Sequence, residues 1–249
     1  MAATPLLVFD FDGVLVDGMA EYWWSARQAA LNLLPELSLP EPAPVGFARL
    51  RPLIHKGWEM VLMAIELGRA DFDLTGSCAD YPSALQRARG RWRLEPPELQ
   101  EALEAVRRRA IADDLPAWLA LHRFYPGVPE RLRRLRLEGS DWSVLTTKGG
   151  AFASQLLAAA DLCPRQVHGH EQGSKPEVLE RLLQDDPELW FIEDRRPTLE
   201  QVRASAGLEP VRCYLVSWGY LAPGDGDQLP PGIRSLDPET FQLPLALWP

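Results

Sequence analysis

Two aspartates separated by one residue, Asp10 and Asp12, follow an apolar segment near the start of the chain. Residues two apart on a strand point to the same side, so these carboxylates would crowd each other unless a positive group lay between them. A metal ion and a phosphoryl group are the candidates. The alternative is a strand ending in an ordinary turn, where Asp and the following Gly13 are common.

Reactive side chains also stand at the ends of later apolar segments. Because ligands bind at the carboxyl ends of the strands in open parallel sheets, we expect these residues to meet at one edge. The residues are Thr146 and Thr147 after the segment SVL, Lys175 at the start of a helix-like segment, and Glu193 and Asp194 after the segment WFI.

The hydrophobic pattern predicts the elements that would position these residues. Short apolar runs predict strands, and amphipathic segments alternate with the later ones, which is typical of a parallel sheet with helices on both faces. The predicted strands are 6–12, 142–147, 189–194 and 212–217, with a weaker one at 166–170. The predicted helices are 126–139, 151–162, 175–184 and 198–208.

A long interval between the first two strands has a different character. Residues 18–122 are helix-like throughout and are interrupted by Pro-rich segments rather than by strand-like runs. We therefore predict an α/β fold, with a Rossmann-like parallel sheet core made of residues 1–17 and 123–249. A smaller all-helical domain, 18–122, would be inserted after the first strand.

Composition limits the classes of function. The chain has 249 residues, a formal net charge of −9 and a pI near 5.0, which disfavours nucleic acid and anionic membranes as partners. Its three cysteines are widely spaced and form no CxxC pair, which fits a reducing cytosol. The amino-terminal segment has no basic leader, and its apolar run is too short for a membrane span. We expect a cytoplasmic protein, monomeric by default.

Four segments together resemble a known superfamily. DFDGVLVD, VLTTK, GSKPEVL and WFIED resemble, in order and spacing, the four motifs of the haloacid dehalogenase-like phosphohydrolases. The helical insertion is similar to the cap that follows the first motif in phosphoglycolate phosphatases and β-phosphoglucomutases. The resemblance covers the whole predicted core, and it implies a phosphatase acting on a small phosphorylated metabolite.

This resemblance, together with the chemistry of phosphate esters, gives each motif residue a role. Hydrolysis needs a nucleophile, a proton for the leaving oxygen and cations beside the transferred group. Asp10 is expected to attack phosphorus and form an aspartyl-phosphate, while Asp12 acts in turn as acid and base. Thr146 and Lys175 would hold the phosphoryl oxygens, with a contribution from Thr147, and Lys175 would also keep Asp10 ionised.

Mg²⁺ is the expected cofactor because it prefers oxygen ligands and retains bound water. Its ligands would be the Asp10 carboxylate, the Asp12 carbonyl and Asp194, with Glu193 bound directly or through water. The later acidic residue that the superfamily usually carries is not at its common spacing. Thr198 and Glu200 lie near where it would fall.

The inserted domain is expected to select the substrate. Its segment RPLIHKGWE contains Arg51, His55, Lys56 and Glu59, which we predict as substrate-contacting candidates. A solvated helix face with a glycine break is an equally good explanation of the same pattern.

Other activities of the same fold stay open at this stage. A sugar phosphomutase would share every core residue and differ only in the inserted domain. A dehalogenase or phosphonatase is disfavoured, because only an oxygen leaving group requires an acid at Asp12. A protein of another class would retain the fold to bind a phosphorylated ligand without turnover.

Overall fold

A parallel sheet forms the centre of the larger part of the chain in this computed structural model, which describes residues 4–249. Its strands are short and mostly buried, as the apolar runs predict. Within the described residues the strands are β1 (Leu6–Phe9), β2 (Val16–Asp17), β3 (Arg123–Phe124), β4 (Trp142–Leu145), β5 (Val167–His168), β6 (Leu189–Glu193), β7 (Arg212–Val216) and β8 (Ile233–Leu236).

The main sheet has the strand order β5-β4-β1-β6-β7-β8, and every neighbouring pair is parallel. Phe9 at the end of β1 lies opposite Val144 of β4 on one side and Ile192 of β6 on the other. The chain moves outward from β1 to β5 and then returns to β6, so strand addition reverses beside β1. Such a reversal leaves a crevice at the carboxyl ends of the central strands. The predicted α/β fold class is confirmed.

The first strand is shorter than the apolar pattern predicts. β1 ends at Phe9, and residues 10–17 form a turn that closes in β2 and in which the Phe11 carbonyl accepts hydrogen bonds from the N–H groups of Leu15 and Val16, at 2.9 and 3.0 Å. The turn leads into the antiparallel pairing of β2 with β3. Asp10 and Asp12 therefore lie on a turn rather than on a regular strand.

Helices surround the sheet and make up most of the inserted segment. Among residues 4–249, no helix combines the length and the hydropathy that crossing a membrane requires. The helices are α1 (Met19–Leu33), α2 (Val45–Leu50), α3 (Gly57–Leu67), α4 (Leu74–Ala79), α5 (Tyr81–Trp92), α6 (Pro96–Ala120), α7 (Val128–Leu135), α8 (Gly150–Ala159), α9 (Lys175–Asp185), α10 (Arg196–Ala204) and α11 (Pro238–Phe241). Single 3-10 turns occur at Arg51–Leu53, Arg136–Glu138, His170–Gln172 and Leu245–Leu247.

The two faces of the sheet have different cores. One face carries a mainly aliphatic cluster in which Val8 and Phe191 pack with Leu179 of α9 and Leu199 of α10. Each such fully buried side chain contributes about 1.5–3 kcal/mol relative to an exposed one. A cluster of aromatic rings includes Phe9, Trp190, Tyr214, Phe241 and Trp248, the last two from the carboxyl-terminal segment.

The chain divides into two compact units. One consists of the described residues up to Asp17 together with Arg123–Pro249, and the other is Gly18–His122.

In the helical unit, α1 packs against α3 and α6. Its core contains an ion pair in which Arg107 donates two hydrogen bonds to the Glu21 carboxylate, at 2.7 and 2.8 Å. Both side chains are buried, so each charge compensates the other, and removing either one would leave an unpaired charge in the core.

Candidate active site

The turn after β1 presents the first aspartate to the crevice between the central strands. The Asp10 N–H donates to the Ile192 carbonyl at 2.8 Å, which continues the pairing of β1 with β6 by one residue. The Asp10 side chain is only 9 % exposed. Gly13 then takes a φ of +92°, a conformation that glycine adopts without strain, and so allows the chain to turn sharply away.

Lys175 joins the first aspartate to the acidic residue at the end of β6. Its Nζ lies 2.7 Å from Asp10 Oδ1 and 2.6 Å from Glu193 Oε2, and all three side chains are buried. Lys175 is the first residue of α9, where the helix dipole disfavours a cation. The two carboxylates compensate for this, so the position of the lysine is explained by the site rather than by the helix.

Burial and charge shift the protonation equilibria of this cluster. Burial, with a smaller contribution from the nearby charges of Glu193 and Asp12, raises the pKa of Asp10 to about 7 against the opposing charge of Lys175. Burial alone would lower the pKa of Lys175, but the charges of Asp10 and Glu193 outweigh it and raise that pKa above its ordinary value. Lys175 therefore stays charged at neutral pH.

Glu193 has a different environment from the other acidic residues. Its Oε1 accepts hydrogen bonds from the N–H groups of Asp194 and Arg195, both at 3.1 Å, while Oε2 accepts from Lys175. Burial opposes its ionisation, yet the charge of Lys175 and these hydrogen bonds lower the pKa of Glu193 below its usual value. Both oxygens are used within the protein, which suits Glu193 to hold Lys175.

Asp194 lies at the centre of several close backbone contacts. Its Oδ2 accepts a hydrogen bond from the Tyr220 N–H at 2.7 Å. A Cβ atom on Gly13 would lie 1.9 Å from the same oxygen, and one on Gly219 would lie 2.4 Å from Asp194 Cβ. Only glycine fits at these two positions, because the backbone passes directly against the Asp194 side chain.

Three buried carboxylates form a group that could hold a cation. Oxygens of Asp10, Glu193 and Asp194 lie within 4.8 Å of one another. Lys175 lies within hydrogen-bond distance of Asp10 and Glu193 in this group. Such an oxygen-only donor set fits a hard divalent cation such as Mg²⁺.

The end of β4 supplies the hydroxyl and a second lysine. Thr146 is buried, and its Oγ1 accepts a hydrogen bond from the Lys148 N–H at 3.0 Å, whereas Thr147 is half-buried. The Lys148 side chain is 1 % exposed, and its Nζ lies 3.6 Å from Asp12 Oδ1. Lys148 ends the segment VLTTK, so the sequence offers it beside Thr147 as a candidate for substrate contact. The sequence does not predict that its side chain approaches Asp12.

The structure shows local roles for the residues predicted in the helical unit. The Arg51 guanidinium lies over the Tyr22 ring, 4.7 Å from its centre, and His55 and Lys56 are exposed. The Glu59 carboxylate accepts hydrogen bonds from the N–H groups of His55 and Lys56, at 3.0 and 3.2 Å. Glu59 thus fixes the start of α3, while substrate contact by these four residues stays a prediction.

The candidates for the outer metal ligand have other contacts. Glu200 forms an ion pair with Arg196 at 2.8 Å and is 44 % exposed, and it is not a member of the acidic group within the described residues. The Thr198 N–H donates to the Arg195 carbonyl at the start of α10. Arg196 also donates to the Asp227 carbonyl, so it anchors a loop.

Comparisons with known proteins agree with this architecture. The chain is 24 % identical over 225 residues to Phosphoglycolate phosphatase 1 of Pseudomonas aeruginosa, covering 86 % of this chain and 70 % of the relative. A crystal structure of a predicted phosphoglycolate phosphatase from Haemophilus somnus matches with a TM-score of 0.63 and 17 % identity, over 97 % of this chain and 96 % of that one.

A haloacid dehalogenase-like hydrolase from Streptococcus pneumoniae matches with a TM-score of 0.58 and 16 % identity, over 94 % of this chain and 95 % of that one. No family model matches the chain. These similarities confirm the resemblance to haloacid dehalogenase-like hydrolases that the four motifs predict, and each of these three proteins is named as a phosphatase or a hydrolase.

Proposed function

We propose that this chain is a Mg²⁺-dependent phosphatase that hydrolyses a small phosphorylated metabolite through an aspartyl-phosphate. The observation that carries the proposal is the buried cluster in which Lys175 contacts both Asp10 and Glu193 beside Asp194. A buried lysine that contacts two carboxylates, beside a third, at the crevice of a parallel sheet, is costly as a purely structural feature. It is well suited to bind a phosphoryl group and a cation together.

Asp10 is the nucleophile in this proposal. One of its carboxylate oxygens forms a bond to phosphorus while the bond from phosphorus to the ester oxygen breaks. Lys175 holds Asp10 Oδ1 at 2.7 Å and so fixes the carboxylate, and its charge favours the ionised form that attacks. Glu193 holds the other side of the lysine and is thereby a positioning residue.

Asp12 is the general acid and base. It gives its proton to the departing ester oxygen. It then takes a proton from the water that attacks phosphorus, while the bond from phosphorus to the Asp10 oxygen breaks and frees phosphate and the Asp10 carboxylate. Lys148, with its Nζ 3.6 Å from Asp12 Oδ1, stabilises the carboxylate that remains after the first step. Asp12 thus acts in both halves of the reaction.

The phosphoryl oxygens would be held by Thr146, Thr147 and Lys175. The Thr146 oxygen accepts from the Lys148 N–H, which occupies a lone pair and leaves the hydroxyl proton to donate to the phosphoryl group. Mg²⁺ would be held by the carboxylates of Asp10 and Asp194 and the Asp12 carbonyl, with Glu193 contributing through water. When bound, the cation offsets the negative charge of the transferred group.

The substrate is proposed to be small and anionic. The relative from Pseudomonas aeruginosa is named a phosphoglycolate phosphatase, so 2-phosphoglycolate is the first compound to test. Arg51, His55 and Lys56 are the candidates for recognising its carboxylate, with Glu59 fixing the segment that carries them. The three cysteines are free thiols, which supports a reducing, cytoplasmic location.

The test is phosphate release from an aryl phosphate and from 2-phosphoglycolate in the presence of Mg²⁺. Asp10→Asn should reduce release to background while the circular dichroism spectrum stays unchanged. Asp237→Asn is the matched control, because Asp237 caps the exposed start of α11 and asparagine caps equally well. Equal rates for wild type and Asp10→Asn would overturn the proposal.

Product analysis distinguishes the remaining functions. A sugar phosphomutase would give an isomer of a sugar phosphate without free phosphate. A non-catalytic protein would bind phosphorylated compounds in calorimetry without turnover of any of them. Hydrolysis is supported if wild type releases free phosphate and Asp10→Asn does not.

A further inference from the structure

We propose that Tyr220 is a positioning residue for the general acid, acting through the loop of residues 217–220 that follows β7. The loop connects two parts of the site that are far apart in sequence, the turn containing Asp12 and the Asp194 side chain. Its consequence for catalysis rests on the proposed phosphatase function. The structural connection itself does not.

The 217–220 loop holds the turn after β1 at two points. Trp218 Nε1 donates to the Val14 carbonyl at 3.1 Å, and the Tyr220 hydroxyl donates to Asp17 Oδ1 at 2.6 Å. Asp17 lies on β2, opposite Arg123 of β3. The turn is therefore fixed both at its middle and at the end where the chain leaves for the helical unit.

The same loop holds Asp194. The Tyr220 N–H donates to Asp194 Oδ2, and Gly219 lies so close that a Cβ there would be 2.4 Å from both Asp194 Cβ and the Gly13 carbonyl oxygen. Tyr220 thus contacts a metal-ligand candidate with its backbone and the turn with its side chain. Tyr220→Phe removes only the hydroxyl, so it breaks the contact with Asp17 and keeps the backbone contact with Asp194.

Asp12 depends on the turn for its position. Among residues 4–249, no hydrogen bond reaches Asp12 Oδ1, and Lys148 Nζ at 3.6 Å is beyond hydrogen-bond distance. Backbone hydrogen bonds instead fix the residues around Asp12. In one of them, the Gly13 N–H donates to the Val16 carbonyl at 2.9 Å. If the Tyr220 hydroxyl is removed, the turn loosens and Asp12 loses its alignment with the leaving oxygen.

The test compares Tyr220→Phe with wild type on an alkyl phosphate and an aryl phosphate. An alkoxide needs a proton from Asp12 and an aryl oxide needs it much less, so misalignment should lower kcat for the alkyl ester selectively. We expect the ratio of alkyl to aryl kcat to fall about tenfold, the effect of losing one hydrogen bond to a charged group. The Mg²⁺ concentration for half-maximal activity should not change, because the Tyr220 N–H still holds Asp194.

Tyr214→Phe is the matched control. Its hydroxyl donates to the Pro249 carbonyl at 2.9 Å, so this variant loses a tyrosine hydrogen bond away from the turn. Its kcat ratio should equal that of wild type. An unchanged ratio in Tyr220→Phe, or the same fall in both variants, would overturn the inference.

Hydrogen exchange provides a readout that does not depend on activity. Amides of Leu15 and Val16, which donate to the Phe11 carbonyl, should exchange faster in Tyr220→Phe than in Tyr214→Phe. Faster exchange in a protein that hydrolyses no phosphate ester would contradict the proposed function and leave the structural connection intact. Unchanged exchange in an active phosphatase would contradict the connection alone.

Discussion

Replacing Glu193 by glutamine tests the interpretation of the buried cluster most directly. Both carboxylate oxygens act only as acceptors, one for Lys175 and the other for the N–H groups of Asp194 and Arg195. Glutamine has one oxygen and one NH₂ group. In either orientation its NH₂ faces a donor, so a buried group loses its partner and Lys175 loses half of its compensating charge.

The magnitude follows from burial. Glu193 is 0 % exposed and Lys175 is buried, so water cannot replace the lost contacts. Breaking a buried ion pair by removing one charge costs about 3 to 5 kcal/mol in the free energy of unfolding. For a chain of this size, that corresponds to a fall in Tm of roughly 10 °C.

The assay is thermal and urea unfolding of wild type and Glu193→Gln at pH 7 without added metal. Glu200→Gln is the control, because Glu200 pairs with Arg196 at the surface and its removal should cost about 0.5 kcal/mol or less. The folded pKa of Glu193 lies below its usual 4.5, so its stabilisation is fully present above about pH 4.5. It is lost as the pH falls through the folded pKa, and the two proteins should therefore converge in acid.

A loss of stability below about 1 kcal/mol at pH 7 would refute this interpretation, because a buried lysine should be destabilised by more than that when one of its two charged partners is removed. A difference that persists unchanged into acid would also refute it. In that case shape rather than charge would explain the effect of the substitution.

Three further predictions concern the acid, the metal site and its protonation. Asp12→Asn should lower kcat about 10²–10⁴-fold for alkyl phosphates and much less for aryl phosphates in steady-state assays, and equal losses would remove Asp12 as the acid. Gly219→Ala should displace Asp194, because the new Cβ would lie 2.4 Å from the Asp194 Cβ. The Mg²⁺ dissociation constant, measured by calorimetry, should rise at least about tenfold. Gly90→Ala is the control and should leave it unchanged, since no atom lies within 4 Å of its new Cβ. Because burial raises the pKa of metal-free Asp10 to about 7, Mg²⁺ binding should release a proton below that pH, and its affinity should weaken about tenfold per pH unit; an affinity that is flat from roughly pH 5.5 to 8 would contradict this.

The apolar segments of the sequence predicted strands β1, β4, β5, β6 and β7 of the main sheet but not β8, whose central residues are exposed. LLVF, WSVL and LWFIE are buried strands because a parallel sheet covered on both faces rewards continuous hydrophobicity. The sequence also places Asp10, Thr146 and Asp194 after strands that prove to be neighbours. The pattern did not show where β1 ends, since Phe11 and Val14 are as apolar as the strand before them.

Contacts within the site were less accessible to sequence reasoning. Lys175 was predicted to lie near Asp10, but the sequence does not show that Glu193 holds its other side, or that Lys148 approaches Asp12. Such contacts depend on side-chain rotamers at strand ends, which local patterns do not specify. The roles of the residues in the helical unit depend in the same way on tertiary packing.

The sequence by itself determined which residues are available for chemistry and which strands present them, because hydrophobic periodicity and motif spacing are local properties. Only the tertiary structure decided the two hydrogen bonds of Tyr220. Its hydroxyl donates to Asp17, more than 200 residues earlier in the chain, and its N–H donates to Asp194. The physical reason is that this contact requires β7 to lie beside β6 in the completed sheet. Hydrogen bonds between distant segments follow from the order of the strands, which no single segment encodes.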